Sequence, residues 1–134
     1  MSFFKNIFNN SSEKGENTAK TTLAWKILQS EDQLNEIIEN SKNKPVVIFK
    51  HSTSCSVSGM IKNRLERNWD IEENATDIYY LDLISYRSIS NKIAETFQVI
   101  HESPQVLVIK NGKSVFDTSH YGISTEAIKE SLAK

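Results

Sequence analysis

The chain has 134 residues, 38% hydrophobic and 25% charged, with four Gly, two Pro and one Cys, which fits a single globular domain around one core. Sixteen Lys and Arg against 17 Asp and Glu leave a formal charge of -1, so no broadly basic surface is offered to nucleic acid or anionic lipid. No apolar run approaches the roughly 18 to 20 residues that span a bilayer, and the N-terminus lacks the apolar stretch of a secretory signal; the chain is therefore read as cytoplasmic and without a membrane span.

Residues 1–22 read as a flexible tail and residues 23–134 as the folded domain. In the tail, Phe3, Phe4, Ile7 and Phe8 fall at helical spacing ahead of a polar stretch, the pattern of a marginal amphipathic turn lying on the domain or on a membrane surface. Residues 24–28 form a short strand. Ser30-Glu31-Asp32-Gln33 has the spacing of a capping box before a helix carrying Leu34, Ile37 and Ile38. After Pro45, the run Val46-Val47-Ile48-Phe49 predicts a central strand buried on both faces.

A polar loop, His51-Ser52-Thr53-Ser54, leads into a helix starting near Cys55. Its stripe toward the sheet is Val57, Met60, Ile61, Leu65 and Trp69, with Cys55, Ser58, Gly59 and Lys62 off that stripe. Residues 78–84 predict a strand and 88–99 a helix carrying Ile89, Ile93, Ala94 and Phe97. Gln105 to Lys110, then Asn111-Gly112, then 114–118 predict a hairpin with a type I′ turn. Ser124 or Thr125 caps a last helix ending near Leu132. The order is βαβαβαββα, an α/β fold with helices flanking a central mixed sheet.

One cysteine cannot close an intramolecular disulfide. Cys55 is then a small buried hydrophobe, a metal ligand, or a thiol that reacts with a partner from outside the chain. Its place at the end of the central strand is where open α/β sheets bind ligands. At the first turn of a helix, unpaired N–H groups and the positive end of the dipole favour its thiolate. Lys50, His51 and Lys62 add positive potential if their side chains turn that way. An activated thiolate gains little as a nucleophile and much as a leaving group, which suits a cysteine that accepts a thiol-bearing group and is then displaced from it.

Other residues are weighed against this. His51, His101 and His120 lie in the chain with Cys55, but no second cysteine or paired His motif completes a zinc set, so no metal is expected. With no base nearby in sequence, Ser58 is read as a hydrogen-bond donor to the Cys55 thiolate. Asp82 receives no catalytic part.

The element order, Ser54-Cys55-Ser56-Val57-Ser58 after the buried strand, and Ser103-Pro104 before the hairpin resemble the thioredoxin fold and, within it, the monothiol bacilliredoxins. Their usual motif is Thr-Cys-Pro-Ile-Ser, so Ser54 and Ser56 stand for Thr and Pro. A second block, His101-Glu102-Ser103-Pro104-Gln105 through Ser119-His120, resembles the same family, and the likeness covers about residues 25–132.

The resemblance implies a thiol-disulfide oxidoreductase in which catalytic Cys55 removes bacillithiol from protein mixed disulfides. Ser58 then stands in the place of the resolving cysteine of dithiol relatives. It further implies a cis Ser103–Pro104 bond opposite the cysteine, turning backbone groups of Ser103 toward an extended substrate. Ser54, Ser103 and Pro104 are thus the expected substrate-binding positions; His51 and His101 support the thiol, His101 by tuning it or shuttling a proton. Bacillithiol, or a similar small thiol such as glutathione or coenzyme A, is the co-substrate, and no cofactor is tightly bound. S-thiolated client proteins are the partners of a chain read as a monomer. The alternative is a peptide-binding module without turnover.

Overall fold

In the computed structural model the described residues are 23–134; the expectations for the tail fall on residues outside them. The elements run β1 (Lys26–Ile27), α1 (Glu31–Asn40), β2 (Val46–His51), α2 (Ser56–Asn68), β3 (Asp77–Asp82), α3 (Arg87–Phe97), β4 (Gln105–Lys110), β5 (Lys113–Ser119) and α4 (Thr125–Leu132), with a 3-10 turn at His120–Gly122 before α4. The sheet order is β1-β3-β2-β4-β5. β1, β3 and β2 are mutually parallel, while β4 is antiparallel to β2 and β5 to β4.

All six residues of β2 are buried, as a strand covered on both faces requires. Alternation along the strand divides its side chains between two cores. Val47 and Phe49 pack with Ile61 and Leu65 of α2 and Ile128 of α4. Val46 and Ile48 pack with Leu34 and Ile37 of α1 and Ile89 and Ile93 of α3. Each such side chain contributes about 1.5 to 3 kcal/mol by leaving water. The same alternation sends Lys50 toward α3 and His51 toward α2.

Several boundaries differ from the sequence reading, each for a local reason. β2 runs two residues past Phe49 because Lys50 and His51 stay in register with β3, opposite Leu81 and Asp82; His51 is therefore a strand residue and not part of the loop. β3 ends at Asp82, whose carboxylate accepts from the Ile84 amide at 3.1 Å and the Ser85 hydroxyl at 2.9 Å, turning the chain. In α2 the buried positions are Ser58, Ile61 and Leu65, spaced three and four apart as one helical face. Ser58 is on the sheet-facing stripe and Met60, 48% exposed, is off it, the reverse of the expectation. α3 stops at Phe97 because Gln98 takes a left-handed conformation (φ 55°) as its C-cap.

The caps hold as read at both ends of the chain. Gln33 Oε1 accepts from the Ser30 amide at 3.1 Å, and Ser124, rather than Thr125, accepts from the Ala127 amide at 3.1 Å. At the hairpin tip Asn111 (φ 51°) and Gly112 (φ 75°) both adopt the left-handed values of a type I′ turn. Ser41, the C-cap of α1, accepts the Asn111 amide on its carbonyl at 2.9 Å and the Gly112 amide on its hydroxyl at 2.8 Å. A bulge breaks the β4–β5 register between Val108 and Ile109. It leaves Val115 outside the pairing and half-exposed.

Candidate active site at the carboxyl end of the sheet

Cys55 is the N-cap of α2, with extended backbone (φ -110°, ψ 120°), and is partly exposed. Its amide donates to the Ser52 carbonyl at 3.2 Å, and its carbonyl accepts the first helical bond from the Gly59 amide at 3.1 Å. The amides of Ser56, Val57 and Ser58 precede that bond in the first turn, so the sulfur-bearing residue sits where helix N–H groups lack helical acceptors and the dipole is positive.

Beneath it, Ser58 closes a buried polar knot. Its hydroxyl oxygen accepts the Ser52 amide at 3.1 Å and lies 2.7 Å from His51 Nδ1. The expected bond from Ser58 to the cysteine is corrected by this geometry: the hydroxyl is turned to the strand end, and His51 is the basic partner that sequence distance hid. Burial lowers the His51 pKa, and Lys62 lowers it further against the raising effect of Asp82 and Glu66. A neutral imidazole protonated at Nε2 takes the Ser58 O–H on Nδ1, which pairs the Ser52 amide, the Ser58 hydroxyl and Nδ1 with one another. The knot fixes the 52–55 turn to β2. Within that turn Ser52 Oγ and exposed Ser54 Oγ lie 3.2 Å apart.

An aromatic wall flanks His51: its ring centroid is 5.8 Å from Phe49 and 5.4 Å from Tyr80. Trp25 stacks on Phe49 at 5.6 Å. Lys62 does not point at the thiol as a free charge. Its ammonium pairs with Glu66 at 2.7 Å and lies over the rings of Trp25 and Tyr80 at 5.7 and 5.5 Å. Trp25 Nε1 donates to the same Glu66 oxygen at 2.7 Å. Burial raises the Glu66 pKa, but these two donors outweigh it and hold the carboxyl below its ordinary value.

The Ser103–Pro104 bond is cis. Pro104 immediately precedes Gln105, which pairs with Lys50 across β2 and β4, and its carbonyl accepts the His120 amide at 3.0 Å. Ser103 and Pro104 thus lie at the same end of the sheet as His51. His101 goes elsewhere: its Nδ1 is 3.3 Å from Lys50 Nζ and 3.2 Å from Ser90 Oγ, on the α3 side of β2, away from the α2 side that carries Ser58. The tuning of the thiol expected of His101 has no contact behind it, and the Lys50 ammonium is buried rather than turned toward Cys55. Extending the period-two pattern of Val46 and Ile48 by one step would have found Lys50. Ser90 carried no signal.

Among the described residues, no group of three or more His, Cys, Asp or Glu side chains is placed to hold a metal. No described helix is long and apolar enough to cross a membrane.

Comparison with solved structures gives the class. A proposed oxidoreductase with a thioredoxin fold is 32% identical, with 78% of this chain and 90% of that one covered at a TM-score of 0.68. Thioredoxin of Malassezia sympodialis is 18% identical over 88% of this chain and 95% of its own, TM-score 0.68. Thioredoxin of Trypanosoma brucei brucei is 14% identical over 88% and 96%, TM-score 0.65. A thioredoxin fold with one cysteine at the α2 N-cap defines a thiol-disulfide oxidoreductase of the monothiol kind.

Within that class the chain belongs to the monothiol bacilliredoxins: the family described as Monothiol bacilliredoxin BrxC matches residues 26–128. The family carries with it bacillithiol as co-substrate in place of a bound cofactor.

Proposed function

We propose that Cys55 is the reacting thiol and that it strips bacillithiol from mixed disulfides on client proteins. The observation that carries this reading is a single cysteine, partly exposed, at a helix N-cap whose turn is anchored to the strand end through Ser58 and His51. The Cys55 thiolate attacks the bacillithiol sulfur of the client mixed disulfide. A new S–S bond forms to Cys55, the bond to the client sulfur breaks, and the client leaves as a thiolate that takes up a proton. A second bacillithiol thiolate then attacks the held bacillithiol sulfur, releasing the Cys55 thiolate and bacillithiol disulfide.

The client is received in extended form by backbone groups of Ser103, oriented by the neighbouring Pro104, with Ser54 at the rim of the turn. His51 and Ser58 support the thiol by holding its loop. The reaction belongs in the cytoplasm, and the chain acts as a monomer on S-thiolated proteins.

The test is intact-mass analysis and dethiolation of an S-bacillithiolated protein by the wild type and Cys55→Ser. The wild type gains the mass of one bacillithiol at Cys55 during turnover, and the variant falls to the uncatalysed rate. A variant that dethiolates as fast as the wild type overturns the reading and leaves a peptide-binding module.

A further inference from the structure

Lys50 is fully buried in the central strand, a place lysine occupies only when something pairs it. Among the described residues it has no carboxylate partner, and its described side-chain hydrogen bond is to His101 Nδ1 at 3.3 Å. Ser90 Oγ on α3 meets the same nitrogen at 3.2 Å. An ammonium has only donors, so Nδ1 must present its lone pair and the ring proton resides on Nε2. A buried cation is an unfavourable way to fill a core, since an apolar side chain of similar volume generally does so at no loss.

What the arrangement gains is a hold on one loop. Residues 98–104 connect α3 to β4; Val99 packs on the α3-side core and Pro104 is buried, but Ile100 between them is 84% exposed, so apolar packing does not fix that stretch. Polar ties do. His101 is held by Lys50 and Ser90, Gln105 Nε2 donates to the Ile100 carbonyl at 2.9 Å, and the Pro104 carbonyl accepts the His120 amide. Ser103 Oγ and Gln105 Oε1 are buried without a hydrogen-bond partner. The loop is therefore not saturated with bonds, and the tie through His101 is the charged one between its Val99 and Pro104 anchors.

We propose that Lys50 and His101 are positioning residues for client recognition: the ammonium, acting through the imidazole, sets the 98–104 loop so that the backbone at Ser103–Pro104 meets an extended client. This rests on the client-binding reading of Ser103 and Pro104 above.

The groups facing His101 are Lys50 from β2, Arg87 and Ser90 from α3, and Glu102 from its own loop. Burial lowers its pKa, Lys50 and Arg87 lower it further, and Glu102 raises it, so the ring is neutral near pH 7. Protonation on the acid side removes the acceptor and sets two cations against each other, which loosens the loop.

Steady-state dethiolation of an S-bacillithiolated protein, with iodoacetamide alkylation of Cys55 as a readout independent of the loop, tests this. Lys50→Met and His101→Ala raise KM roughly five- to tenfold, with kcat and the alkylation rate within about twofold of wild type. His101→Asn, which keeps an acceptor at the Nδ1 position, restores KM and abolishes its rise on the acid side. Unchanged KM in both variants, no rescue by Asn, or a parallel fall of kcat and alkylation overturns the proposal. Should Lys50→Met fail to fold, the Ala and Asn variants of His101 decide alone. Wild type without any turnover overturns the proposed function and this inference together, whereas turnover with KM unmoved overturns the inference only.

Discussion

Lys50 and His51 are consecutive residues of one strand, both buried, both basic, and they face opposite cores. His51 belongs to the α2 side, where it closes a set of neutral partners with Ser58 and the Ser52 amide under the cysteine turn. Lys50 belongs to the α3 side, where burial pulls its pKa from an ordinary 10.5 down to about 8 and its hydrogen bond reaches out to a loop. On one face the basic side chain closes a polar knot inside the core; on the other a buried amine reaches out to the 98–104 loop. A pair of adjacent residues thus ties two separate segments, the cysteine turn through His51 and the 98–104 loop through Lys50.

The sharpest way to break this contrast is Ser58→Ala. It removes one hydroxyl and strands two buried groups, the Ser52 amide and His51 Nδ1, so unfolding by urea should show a loss of about 2 to 3 kcal/mol. A loss under half a unit would mean that the polar knot is incidental.

Lys50→Met should move the other way. A shift from 10.5 to about 8 corresponds to about 3 kcal/mol against the folded state when the amine is charged. Between those pH values the unfolded chain binds the proton and the folded one does not, so the wild type gains stability as pH rises through the window. The variant should be about 1 to 3 kcal/mol more stable than wild type at pH 7, the gap closing as pH approaches 10.5. Denaturation at pH 7, 8.5 and 10 reads this; a variant less stable at every pH contradicts the assignment.

The smallest effect is expected from Trp25→Phe, at the margin of the α2 face. The ring remains against Phe49 while the 2.7 Å bond to Glu66 is lost. Glu66 and Lys62 are partly solvated, which limits the cost to about 0.5 to 1 kcal/mol. Thermal melting resolves it.

How much of this was legible in the sequence follows from what each signal measures. The order of elements, the hairpin turn and the central strand came from apolar runs and turn residues, and the helix that begins at Cys55 came from its stripe. That reading counts only apolar residues, so it placed Met60 inside and Ser58 outside, whereas a small hydroxyl with a partner in hand fits the sheet-facing side and a long thioether does not need to. It ended β2 at Phe49 because Lys50 and His51 look polar, although backbone pairing with β3 continues through them. The cysteine was found by position. His101 was found by the block it sits in, but its partners, Lys50 and Ser90, depend on which way a strand and a helix turn their side chains, and only the fold fixes that.

The far pole of the sheet is fastened. Both amides of the Asn111-Gly112 tip are spent on Ser41, groups that a hairpin ordinarily leaves to solvent. The β4–β5 ribbon is thus pinned at its tip as well as along β2, and its opposite end, where β4 begins at Gln105 and β5 finishes at Ser119, is tied by the His120 amide to the Pro104 carbonyl. Staked at both poles, the ribbon presents the edge at the His51 end of the sheet as a fixed surface rather than a swinging one.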